Sequence, residues 1–103
     1  MNSSATKELE VTATAVRVTD DALIVDLSDG RTISTPLAWY PRLLHGSPAE
    51  RNDHQLIGQG IGIHWPQLDE DISIEGIAAG RRSFESKESF DKWLASRANT
   101  TPR

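Results

Sequence analysis

Between residues 60 and 73 the chain reads Gly60-Ile61-Gly62-Ile63-His64-Trp65-Pro66-Gln67-Leu68-Asp69-Glu70-Asp71-Ile72-Ser73. An imidazole, an indole and three carboxylates fall within the eight residues 64–71. Carboxylate oxygens suit a hard cation such as Mg²⁺ or Mn²⁺, and one imidazole can join them. In an extended segment Asp69 and Asp71 point to one face and Glu70 to the other. Two acids at most therefore converge locally, and a third ligand must come from elsewhere, with Asp26, Asp29 and Glu75 on offer. The spacing does not match the alternating ligands of an EF-hand loop. The competing reading is an acidic loop that caps backbone donors and keeps the surface solvated. On that reading Glu70 is expected at the surface as a binding group, with Asp69 or Asp71 turned inward as a cap.

His64 needs a nearby nucleophile to act as a general base. The chain has neither a Gly-x-Ser-x-Gly elbow nor a cysteine, so His64 reads as a structural or interfacial residue and Trp65 as core. A second cluster, Trp39-Tyr40-Pro41-Arg42, joins residue types that dominate binding hot spots. It reads equally as an apolar plug beneath a short helix with Arg42 on the surface. The glycines of Gly58-Gln59-Gly60-Ile61-Gly62 lack a following Lys-Ser/Thr and lead into no helix, so a phosphate-loop reading fails.

The elements that position these residues follow from periodicity. Leu9, Val11, Ala13, Val16 and Val18 alternate with a slip near Ala15, as in a strand with a bulge. Leu23, Val25 and Leu27 form a second alternating strand. Asp29-Gly30 signals a hairpin of type I′, and Thr32–Thr35 return, so residues 9–35 are expected to form an antiparallel meander. Pro41 starts a short helix that Gly46 can end. Ser47-Pro48-Ala49-Glu50 is a capping box with proline at the first helical position. Ile61, Ile63 and Trp65 make a fourth strand, ended by Pro66, whose glycines predict close backbone approach. Ile72–Ile74 resumes as a strand, and Glu75–Gly80 forms a helical turn. Ser86 caps a last helix with Phe90, Trp93 and Leu94 on one stripe. The fold class expected is α+β, an antiparallel meander sheet with short helices and a C-terminal helix packed on it. The domain is expected over 9–97, with tails at 1–8 and 98–103.

The 103 residues are 37% hydrophobic and 25% charged, with a net charge of −4. One domain with a modest core fits this length. Without cysteine there is no disulfide or thiolate chemistry, as suits a cytoplasmic protein. No apolar run approaches the roughly 20 residues of a bilayer span. The acidic balance disfavours direct nucleic-acid binding and favours a protein partner.

Pro36–Leu43, Ser47–Asn52 and the Gly60–Ser73 run, together with Asp29-Gly30-Arg31, resemble domain-of-unknown-function family 2442 over roughly residues 12–80. The chain departs at His54, where an aromatic is expected, and at Ile77-Ala78-Ala79, where a leucine pair is usual. The resemblance implies an α+β fold and no catalytic residues to carry over. Many such proteins are encoded beside another small protein and resemble the antitoxin half of a toxin–antitoxin pair.

Together these features point to a non-enzymatic interaction module, antitoxin-like, that partners a small basic protein. Trp39, Tyr40, Arg42, His64, Trp65, Asp69, Glu70 and Asp71 are its interaction residues. No catalytic residue, cofactor or metal ligand is assigned, and there is room for a homodimer. The alternatives are a metal-dependent hydrolase or nuclease using His64, Asp69 and Asp71, and a transcriptional accessory domain.

Overall fold

A computed structural model describes residues 11–99; the expected N-terminal tail and the start of the first strand lie outside them, as do residues 100–103. The first half is the expected meander. Strands β1 (Ala13–Val18), β2 (Ala22–Leu27) and β3 (Thr32–Pro36) pair antiparallel in that order. The register slips between Ala13 and Ala15, so the bulge lies where the alternation broke. β2 is central, and Leu23, Val25 and Leu27 alternate into the core. The turn after Leu27 differs from the type I′ expected. Gly30 has φ +93°, but Asp29 is not in the left-handed region. Gly30 N–H donates to Leu27 O at 3.0 Å, and Leu27 N–H donates to Arg31 O at 2.8 Å. This is a three-residue connection with one left-handed glycine. Asp29 keeps a normal conformation and accepts from the Arg31 N–H at 3.0 Å and its Nε at 2.7 Å.

A 3₁₀ turn (Leu37–Trp39) and two short helices follow, α1 (Pro41–Leu44) and α2 (Pro48–Asn52). The capping box on α2 is complete: Glu50 N–H donates to Ser47 Oγ at 3.1 Å, and Ser47 N–H donates to Glu50 Oε1 at 2.8 Å. Gly46 follows α1 for a steric reason rather than a conformational one. A Cβ there would stand 2.9 Å from Leu68 Cδ1.

The second half holds another antiparallel sheet, β4 (Gln55–Ile57), β5 (Gly62–Trp65) and β6 (Glu70–Ser73) in that order. Gly60 stitches the two sheets together. Its carbonyl accepts from Ala13 N–H at 2.7 Å, and a side chain there would meet Ala13 O at 2.6 Å. Its φ of +95° is a second reason for glycine. Helix α3 (Ile74–Ala78) starts one residue before the expected turn, because Ile74 joins the core and Ser73 caps Gly76 N–H at 2.9 Å. At its end Gly80 N–H donates to Ile77 O and Arg81 N–H to Gly76 O, a Schellman pair.

Leu23, Val25, Leu27, Leu37, Leu43, Ile63, Trp65, Leu68, Ile72, Ile74 and Ile77 share one core. Helix α4 (Lys87–Asn99) runs two residues past the expected domain end. Phe90, Trp93 and Leu94 are half-buried, short of the full burial that their stripe implies. Trp93 packs against the core cluster, and Arg97 forks onto Glu50 at 2.8 and 3.1 Å.

Candidate functional site

The expected interaction residues separate into three environments. Trp65 is fully buried, and its Nε1 donates to Arg51 O at 2.9 Å. It is a core residue, and His54 lies beside it with ring centroids 6.1 Å apart, an aromatic neighbour in its own right. Arg51 is itself buried and donates to the α1 carbonyls of Leu43 and Leu44, both at 2.8 Å. A guanidinium at a helix C-terminus satisfies carbonyls that would otherwise be orphaned.

His64 and Asp71 form the second environment. They are cross-strand partners on β5 and β6, on the sheet face away from the core. The ring Nδ1 lies 2.6 Å from Asp71 Oδ1. No described hydroxyl bonds the imidazole, so the pair orients a histidine without a nucleophile. Among the described residues no group of three or more His, Asp or Glu side chains is placed to hold a metal ion.

The third environment is a cleft of about 410 Å³ between the start of β6, α1, α3 and the irregular segment 81–86. Tyr40, Arg42, Asp69, Glu70 and Asp71 line it, and so do Phe84 and Glu85. Tyr40 is buried at its side, its hydroxyl donating to Arg81 O at 3.4 Å, and burial raises its pKa. Arg42 is the central tie. Its Nε donates to Glu85 Oε1 at 2.9 Å, its Nη2 bonds Glu85 Oε2, and its Nη1 donates to the carbonyl of Asp69 at 2.9 Å. The bidentate bond holds the Glu85 carboxyl below the usual carboxylate range. Ser83 N–H donates to Trp39 O at 3.1 Å, pinning the segment at a second point. Trp39 is half-buried, with the Arg82 guanidinium 4.6 Å over its ring.

Glu70 and its neighbours reverse the expected assignment. Asp69 takes φ +52° at the turn and stays exposed, as does Asp71. Glu70 is the half-buried acid, because it shares its strand face with core Ile72 and sits opposite Trp65. Burial pushes its carboxyl up to about 7, against the pull of Arg42 and with help from Glu85 and Asp71. No described side chain donates a hydrogen bond to it, and no described cation lies within ion-pair distance. Phe84 and Glu85 were not singled out in the sequence. Phe84 stands 85% exposed on the cleft rim, and a lone phenylalanine in a polar stretch carries no periodic signal.

These features define a small α+β protein, two three-stranded antiparallel sheets around one core with a charged cleft at the end of the second. The chain belongs to the DUF2442 family: the family model described as "Protein of unknown function (DUF2442)" matches residues 13–83. A crystal structure of a protein of unknown function from Rhodospirillum rubrum is 33% identical, with 77% of this chain and 95% of that one covered and a TM-score of 0.64. The solution structure of an uncharacterized protein from Chromobacterium violaceum shares the fold at 20% identity and a TM-score of 0.63, covering 96% and 86% of the two chains. No functionally curated protein matches the chain. No helix among the described residues is long and apolar enough to cross a membrane.

Proposed function

We propose that this chain is a non-enzymatic protein-interaction module of the cytoplasm, the antitoxin-like partner of a small basic protein. The observation that carries this reading is the cleft, lined by a half-buried carboxylate in no ion pair with a described residue and by an exposed aromatic ring. A partner seated here would cover the ring and bring the carboxylate a cation, which offsets the cost of its burial. Tyr40 and Arg42, which line the cleft, belong to the residue types that anchor interfaces. The net charge of −4 favours attraction of a basic partner, acting more on encounter rate and selectivity than on affinity. The metal-hydrolase alternative finds less support, since His64 and Asp71 pair with each other, Asp69 sits at the turn, and the described residues offer no third ligand.

Co-expression with each small basic protein encoded next to its gene tests the proposal. A complex should co-purify, and its association should slow as salt rises. Mg²⁺, Mn²⁺ and Zn²⁺ should leave the melting temperature unchanged, since a ligand of the folded state would raise it. Absence of any complex, together with metal-dependent stabilisation, would contradict the assignment.

A further inference from the structure

The cleft is lined by charges of both signs. Its lining carries the carboxylates of Asp69, Glu70, Asp71 and Glu85 and the guanidinium groups of Arg42, Arg81 and Arg82. Arg42 is already engaged by Glu85 and two backbone carbonyls. Asp71 is engaged by His64. Among the described residues Glu70 is in no ion pair; only the charge of Arg42 and the Asp71 backbone N–H favour its ionised form. Arg81 and Arg82 form no ion pair with a described residue, and Arg82 is stacked on Trp39. Phe84 lines the same cleft, its side chain almost wholly in solvent.

Resting on the interaction role proposed above, we infer that this cleft captures one isolated lysine or arginine side chain of a partner protein, its cationic head against the Glu70 carboxylate and its apolar stem along Phe84. The head supplies the counter-charge that the fold withholds from Glu70, in a setting where charged hydrogen bonds are strong. The stem covers an exposed ring, and the cation gains from the aromatic face. Arg81 and Arg82 repel a run of basic residues, so the cleft selects a single basic residue with neutral or acidic neighbours. Because Glu70 titrates near 7, capture below that pH displaces a proton. The groups bearing on this titration are Arg42 from α1, Glu85 from the 81–86 segment and Asp71 from its own strand, and Tyr40, just before α1, interacts with the charge that results. Binding is therefore tighter at pH 8 than at pH 5.5.

Amide shift mapping of the full chain with short peptides tests the inference. One peptide carries a central arginine among neutral residues, and a second carries citrulline, the uncharged isostere, at that position. The arginine peptide should give saturable shifts at Tyr40, Glu70, Phe84 and Glu85, with the citrulline peptide about ten-fold weaker or more, as loss of a charged hydrogen bond implies. Glu70→Gln should weaken the arginine peptide by a similar factor and abolish its pH dependence. Phe84→Ala, at an exposed position with no fold to disturb, should weaken it several-fold. Equal binding of the two peptides, or shifts that map elsewhere, would overturn the capture model. The wider interaction role is read separately from the co-purified complex. If that complex forms and is unaffected by Glu70→Gln and Phe84→Ala, the cleft assignment fails and the interaction role stands. If no complex forms and metal ions stabilise the chain while the arginine peptide still maps to the cleft, the antitoxin-like role fails and the cleft assignment stands.

Discussion

Replacing Glu70 with glutamine keeps the shape of the side chain and removes the charge that the fold accommodates poorly. Glu70 moves from an ordinary 4.5 to about 7 on folding, chiefly by burial. At ~1.4 kcal/mol per pH unit that shift corresponds to about 3 kcal/mol against the ionised form. The group is only half-buried, so solvent screening reduces the penalty to about 1–2 kcal/mol. The sign follows from proton binding. Between pH 4.5 and 7 the folded chain holds a proton that the unfolded chain has lost, so stability falls as pH rises through this window. Below 4.5 both states are protonated and the penalty is absent; above 7 it is complete. Glu70→Gln should therefore stabilise the protein by about 1–2 kcal/mol at pH 8 and do little at pH 4. Near its midpoint a domain of this size gains roughly 4–8 °C per kcal/mol. Urea titrations of both chains at pH 4, 6 and 8 read the difference directly. A glutamine variant that is less stable at pH 8, or a difference that does not grow with pH, would refute the reasoning and place the carboxylate in a favourable contact.

Gly46→Val should cost about 1–3 kcal/mol, because its side chain meets Leu68 at 2.9 Å and must displace it; urea denaturation would show this as a lower midpoint at unchanged slope. Gly30→Val should cost about 1–2 kcal/mol for a purely conformational reason, since φ is +93° and no atom lies within 4 Å, whereas Gly30→Asn should cost less; equal melting temperatures for the valine variant and the parent would contradict the turn described. Trp93→Ala should cost about 1–3 kcal/mol, less than the ~3–5 expected of a fully buried tryptophan, because Trp93 is half-buried; thermal melting distinguishes the two ranges.

The first sheet was legible because its signals are local: strict alternation in β2, a slip at the bulge, and an Asp-Gly turn. Even there the turn type was not, since Asp29 is satisfied by Arg31 and has no need of a left-handed backbone. The capping box was legible for the same reason, being complete within four residues. β4 was not, because three exposed residues carry no apolar period and it exists by pairing with β5. The acidic run shows both outcomes in one place. Alternation sends Glu70 to the face opposite Asp71, as expected, but the inward face is that of Glu70. Ile72 is the core position, and the residue two before it, Glu70, had to share its face. Arg51 and Glu85 were missed because their roles depend on partners 8 and 43 residues away, at Leu43 and Arg42.

The most direct test of the interaction account is the titration of the Glu70 carboxyl carbon by NMR, run on the free chain and again with saturating arginine peptide. The free carboxyl should titrate near 7, and the peptide should move it down into the ordinary glutamate range, because a bound cation favours the ionised form. A Glu70 that already titrates in the ordinary range in the free chain, or one that the peptide leaves unmoved, would contradict the account.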